Sequence, residues 1–190
     1  MDGTDDKGTR EQAGGARRND RSDRSNRGRP VPNPYVGNEE YRCFGCDPEN
    51  PAGLQLKFQV DGDLVWSEWT PRKLLEGYPG VIHGGIQATL ADEIGGWFLH
   101  AARGTAGMTR DLSISYHNPA YATDGPFRIE ARPVEESAKS AVIEVTIFGS
   151  SGTIFSTARV TYAVFSEAVA RRRLSFPGRE AFLPTDETDE

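Results

Sequence analysis

Between Gly85 and Arg103 the apolar positions recur with a helical period, and Ile86, Leu90, Ile94, Trp97 and Ala101 fall on one stripe. Gly84 and Gly85 mark the start of this helix and Arg103-Gly104 its end. Around it the period changes to two. Leu54, Leu56, Phe58 and Val60 alternate with polar residues, Asp61-Gly62 signals a tight turn, and Leu64 to Trp69 continues as the second strand of a hairpin. A loop from Pro71 to Ile82 leads into the helix. Beyond the helix, strand-like runs occupy about Met108 to His117, Phe127 to Val134, Ala141 to Phe148 and Thr153 to Phe165. Turn signals at Asn118-Pro119, Thr123 to Pro126, Glu136 to Lys139 and Gly149 to Gly152 separate them. Short connections imply antiparallel pairing, so the expected fold class is α+β: one long central helix wrapped by a curved antiparallel β-sheet.

One acid interrupts this pattern. Asp92 falls opposite the apolar stripe, beside Ala88, Gly95 and Leu99, and no Lys or Arg occurs from Gly84 to Ala102. A solvated helix face would carry such residues around an acid, so the helix is expected to be buried on nearly every side and Asp92 with it. Glu93 lies nearer Thr89 and His100 on the remaining polar strip and reads mainly as structural, with a fallback role as the acid.

The helix start offers complementary chemistry. Its unpaired N–H groups and the positive end of the helix dipole suit a carbonyl oxygen that is becoming an oxyanion, and glycine lets that group approach closely. Gly84 and Asp92 are separated by about 12 Å of helical rise, too far for both to reach one carbonyl group. If both act, one comes from each of two subunits, which predicts a symmetric dimer with two interfacial sites.

Composition trims the chain to one domain. Residues 1–38 contain no Leu, Ile, Phe, Trp or Cys and are rich in Asp, Arg, Gly and Asn, so they are expected to form a disordered arm outside the fold. Residues 39–166 form the expected domain. Residues 167–190, with Arg171-Arg172-Arg173 and an acidic end, form a flexible charged tail that packs back, if at all, through Leu174, Phe176 and Phe182. A net charge of -6 argues against a nucleic-acid partner, and no apolar run approaches a membrane span or a secretory signal. A soluble, cytoplasmic protein is expected.

The two cysteines, Cys43 and Cys46, make a Cys-Phe-Gly-Cys pair with no second pair to complete a zinc site. His83, His100 and His117 are the remaining conceivable ligands, and two reduced thiols in a packed turn are the default, so no metal is expected.

Three motifs carry a resemblance. The first runs from Cys43-Phe44-Gly45-Cys46-Asp47-Pro48 to Asn50-Pro51-Ala52-Gly53-Leu54, and the second is the Gly77-Tyr78-Pro79-Gly80 lead-in to His83-Gly84-Gly85 with Asp92 nine residues after the histidine. The third is Thr109-Arg110-Asp111-Leu112-Ser113-Ile114-Ser115-Tyr116-His117-Asn118-Pro119. In this order and spacing they resemble the hotdog-fold thioesterases of the PaaI-like type, over roughly residues 41–165. The resemblance implies hydrolysis of an acyl thioester, usually acyl-CoA, with no metal or organic cofactor, by a homodimer or a dimer of dimers. Gly84 then matches the glycine whose N–H polarises the carbonyl, and Asp92 the acid that activates water or attacks directly. His83 matches the motif histidine that shapes the site, and Thr109 a hydroxyl that positions the water or the acid. Strand alternation places Thr109 on the face opposite Leu112 and Ile114, so a bulge or strand end must intervene.

Gly85, Glu93, Leu99 and Arg110 are the expected substrate contacts, Arg110 as one of several basic residues that could meet CoA phosphates. Some relatives have an Asn six residues before the motif histidine, where this chain has Gly77; Asn50 and Glu76 are candidate substitutes. The alternatives are a non-catalytic acyl-CoA-binding module and a hotdog dehydratase or hydratase. Against the latter, no acid–base pair of the Asp-Xaa4-His type lies near the helix.

Overall fold

The computed structural model describes residues 28–183. The expected arm is thus testable only from residue 28, and the acidic end of the tail lies outside the described residues. Seven strands form one antiparallel sheet in the order β1-β2-β3-β7-β8-β9-β6. They are β1 (Arg29–Val31), β2 (Phe58–Asp61), β3 (Leu64–Trp69), β6 (Gly107–Tyr116), β7 (Phe127–Glu136), β8 (Ser140–Phe148) and β9 (Ile154–Val164). The central helix α1 (Gly84–Phe98) lies in the concave face of this sheet and packs on β3, β6, β7, β8 and β9.

The helix has the expected limits. His83 caps its start, accepting the Gly85 N–H on Nδ1 at 2.9 Å. At the other end a last turn of π-helical geometry, Leu99–Arg103, stops at Gly104, whose φ of 72° is left-handed and suits glycine. Leu90, Ile94, Trp97 and Ala101 of the apolar stripe are buried, and the Trp97 ring stacks on Phe58 with centroids 4.4 Å apart.

The remaining expectations shift in detail. Leu54 and Leu56 are buried but lie outside β2. Their N–H groups donate to Phe44 O and Gly45 O, and Gln55 between them has a left-handed φ of 57°, so the ladder is handed to the cysteine loop before the strand begins. The lead-in loop contains a small hairpin, β4 (Glu76–Tyr78) with β5 (Val81–Ile82). Nor do consecutive strands all pair. β6 crosses to the sheet edge beside β9, and β7 pairs with β3 and β8.

Ordered elements extend past both expected domain ends. β1 pairs with β2 and buries Val31, so the fold begins before residue 38: three strand residues need only one apolar side chain to dock. After β9, helix α2 (Glu167–Leu174) folds back, and Ala170, Phe176 and Phe182 are buried. Phe176 and Phe182 both stack on the His100 ring, at centroid distances of 5.6 and 4.8 Å. Three apolar side chains suffice to anchor this segment despite its charge.

Candidate active site

The helix is less enclosed than its sequence suggests. The sheet covers one side, leaving Gly85 exposed and Ala88, Thr89, Asp92 and Gly96 half-exposed. The expectation of a fully buried Asp92 is therefore corrected, because none of the described residues covers that stripe.

Asp92 is engaged all the same. Thr109 Oγ1 donates to Asp92 Oδ1 at 2.6 Å, across from the helix to β6. This contact depends on a register shift in the β6–β9 ladder between Thr109 and Asp111, where Arg110 is the extra residue. The bulge reverses the alternation and turns Thr109 toward the helix, on the face of Leu112 and Ile114, as the sequence pattern required. Tyr162 Oη, from β9, donates to the Asp92 backbone carbonyl at 2.7 Å and fixes the helix turn that bears the acid. Asp92 and Thr109 line a cavity of about 640 Å³ with Glu93, Gly96, Met108 and Tyr162.

A second cavity, of about 860 Å³, opens at the helix start and is lined by His83, Gly84, Gln87, Tyr116 and residues of the β4–β5 hairpin. His83 O accepts the N–H groups of Ile86 and Gln87, and His83 Nδ1 takes that of Gly85. Gly84 is thereby left as the first-turn residue whose N–H has no partner among the described residues, while its carbonyl accepts Tyr116 Oη at 2.8 Å. The structure thus separates Gly84 from Gly85, whose N–H is already spent on the cap. A Cβ at Gly84 would lie 3.1 Å from the Tyr116 phenol, so glycine keeps this approach open.

Other expected contacts fall elsewhere. Leu99 is buried in the core and lines neither cavity, because the π-turn directs it under Gly107. Arg110 is exposed on the bulge and also lines neither. Glu93 faces the cysteine loop: Oε1 accepts Trp97 Nε1 at 3.1 Å and the Cys43 thiol at 3.4 Å. Burial, followed by the electrostatic influence of Cys43 beside it, pushes its carboxyl up to about 7. Asn50 and Glu76 are taken by local structure. Asn50 Nδ2 donates to Cys43 O, and Glu76 Oε2 accepts the Gly80 N–H of the hairpin.

Tyr162 and Gln87 are site neighbours that the sequence pattern did not single out. Gln87 is buried, donates from Nε2 to Ile82 O and accepts Ser156 Oγ at 2.9 Å. It stands in the first helical turn beside Gly84. A long polar side chain in a nearly apolar helix was the available signal.

An antiparallel sheet wrapped around a single central helix, with an open helix start and a carboxylate further along it, defines the hotdog fold class. Residues 79–155 match the family model described as the Thioesterase superfamily. The proofreading thioesterase EntH of Klebsiella pneumoniae is 30% identical over 88 residues, which are 45% of this chain and 62% of that protein. The chain spans less than two thirds of the length of the curated relatives it matches, 63% and 62%. Among solved structures, the E. coli PaaI protein superposes with a TM-score of 0.54 at 14% identity, covering 60% of this chain and 82% of that one. A Streptococcus mutans protein bound to acetyl CoA gives 0.55 at 21%, covering 68% and 96%. At these identities the superpositions establish the fold. Among the described residues no helix is long and apolar enough to cross a membrane.

Proposed function

We propose that the chain is an acyl-CoA thioesterase acting as a homodimer, with Gly84 of one subunit and Asp92 of the other at each site. The observation that carries this reading is the division of the two groups between separate cavities at two places on one helix. Gly84 N–H would hold the thioester oxygen as negative charge develops on it. The partner's Asp92 would deprotonate water or attack the carbonyl carbon, releasing CoA thiol and the acid.

Strand β6 supports the pairing. It is a ten-residue edge strand, mostly exposed, with Met108 57% and Tyr116 52% exposed, and such an edge invites a second strand. Its two ends carry the two half-sites, since Thr109 bonds Asp92 and Tyr116 bonds Gly84. Antiparallel pairing of two β6 strands about a twofold axis near their midpoint would set Thr109 of one subunit against the Tyr116 end of the other. Each Asp92 would then approach the partner's Gly84.

The test is a hydrolysis screen with short, medium, long and aryl acyl-CoAs, scoring free thiol for wild type and Asp92→Asn in parallel. Turnover by wild type and a fall of roughly three orders of magnitude in the variant, with the dimer intact by sedimentation, is expected. Near-normal hydrolysis by the variant removes Asp92 from the reaction. Acyl-CoA binding by wild type without thiol release marks a binding module instead.

A further inference from the structure

The hydrolysis chemistry leaves one cluster unused. Cys43 Sγ, Cys46 Sγ and a Glu93 carboxylate oxygen all lie within 4.8 Å of one another. We infer that these three side chains form a site for a thiophilic divalent metal ion of the Zn²⁺ type, which staples the cysteine loop to the central helix one residue from Asp92.

The spacing suits such an ion. The two sulfurs are 3.1 Å apart and Cys43 Sγ is 3.4 Å from Glu93 Oε1. Tetrahedral zinc with Zn–S near 2.3 Å and Zn–O near 2.0 Å requires separations of about 3.7 and about 3.5 Å. The thiols need to open by about 0.6 Å, and the Cys46 sulfur and Glu93 carboxylate, which lie within 4.8 Å of each other, close toward about 3.5 Å, both by side-chain rotation. As the Zn–S bonds form, each thiol proton leaves to solvent. The two thiolates and the carboxylate then hold one divalent ion, with water as the fourth ligand on the cavity side.

The surroundings are built for the same purpose. Each ligand has an outer partner that orients it: Cys46 N–H donates to Cys43 Sγ at 3.3 Å, Tyr41 Oη lies 2.8 Å from Cys46 Sγ, and Trp97 Nε1 holds Glu93. Asn33 Nδ2 in turn donates to Tyr41 Oη and to Cys46 O, so the loop's own position is fixed from β1's side of the sheet. Gly45 is required for the approach, because a Cβ there would run into the Glu93 carboxyl group.

Charge points the same way. The adjoining cavity is lined by Glu40, Asp92 and Glu93 with the two cysteines, and by no Lys or Arg. Its one histidine, His100, gives its Nδ1 to the Thr105 carbonyl. Anionic groups that share a cavity lined by no basic side chain are stabilised by a metal ion. Two cysteines alone gave only half a zinc site; the fold supplies Glu93 from a position 47 residues beyond Cys46 as the third ligand.

The full chain, untagged and purified in a phosphine reductant, is loaded with Zn²⁺ or Co²⁺ and passed over a chelating resin before metal analysis. Wild type is expected to retain about one equivalent per chain, and the cobalt form to show thiolate charge-transfer absorption. Glu93→Gln, which keeps both thiols, should weaken zinc roughly 10- to 100-fold, and Cys46→Ser should abolish retention. Circular dichroism checks that each variant is folded, and Glu93→Gln decides the matter if Cys46→Ser is not. Retention below about a tenth of an equivalent by the folded, reduced wild type overturns the site. So does unchanged affinity in Glu93→Gln, and so does a Cys43–Cys46 disulfide formed in preference to metal binding when zinc is present under reductant.

Discussion

Thr109 Oγ1 donates to Asp92 Oδ1 at 2.6 Å, tying the central helix to the exposed edge strand. A hydrogen bond to a carboxylate is worth about 1.5–3 kcal/mol, and each 1.4 kcal/mol is a factor of ten in rate. If this bond orients the reacting acid, Thr109→Val should lower kcat about 10- to 100-fold, with a smaller change in KM. Thr109→Ser keeps the hydroxyl and should restore most of the rate. Steady-state kinetics of the two variants checks this, and equal losses in both would assign Thr109 a packing role.

Gly84→Pro deletes the first-turn N–H that has no partner among the described residues. Proline is tolerated at the first helical position, and His83 before it already has the extended geometry proline requires, with φ -58° and ψ 138°. Because the proline Cβ would also crowd the Tyr116 phenol at 3.1 Å, Gly84→Ala, which adds the Cβ and keeps the N–H, is the control. Turnover should drop roughly 100-fold or more with little loss of helix. Co-expression of Gly84→Pro with Asp92→Asn then reads out the site's composition. Random pairing makes half the dimers mixed, each with one intact site of two, so about a quarter of wild-type activity should return. Two groups serving a site on the same chain would return none.

Gly95 faces Tyr162 so closely that an added Cβ would run into the phenol oxygen. Tyr162 is buried and its hydroxyl is bonded to Asp92 O, so it has little room to yield. Gly95→Ala should cost about 1–3 kcal/mol of stability through overpacking. Adding Tyr162→Phe to that variant removes the offending oxygen and should recover part of the loss, as followed by denaturant unfolding.

His100 is held neutral: burial among Trp97, Phe176 and Phe182 lowers its pKa to about 4. In the unfolded chain it takes up a proton near pH 6.5, so between about 6.5 and 4 the unfolded state binds more protons. Its contribution is therefore complete above that window and is lost as pH falls through it. At pH 5 the loss is on the order of 2 kcal/mol. His100→Phe keeps the stacking and removes the titration, so its unfolding midpoint should fall less between pH 7.5 and 5 than that of wild type.

The sequence by itself determined the helix and most of the strands, because each has a period that survives without tertiary context. The stripe from Ile86 to Ala101 and the alternation in β7, β8 and β9 set which faces turn inward. It also made the argument that Gly84 and Asp92 cannot serve one carbonyl, since helical rise is a local quantity. Local pattern could not reveal which strands become neighbours: the crossing of β6 to the edge beside β9 depends on how the whole sheet curls around the helix. It pointed to Phe176 and Phe182 as the residues through which the tail packs back, but not to Val31 as the anchor of a first strand, because a single apolar side chain needs a finished core to dock on.

The same division runs through the site. Residue types at fixed spacing singled out Gly84, Asp92 and Thr109, and alternation required a bulge before Thr109 could reach the acid. Only the folded chain spent the Gly85 N–H on His83, withdrew Leu99 into the core and brought Glu93 beneath Cys43. Helix and strand periods are written in residues a few positions apart. Contacts between residues as distant as Cys43 and Glu93 exist only once the chain has closed on itself.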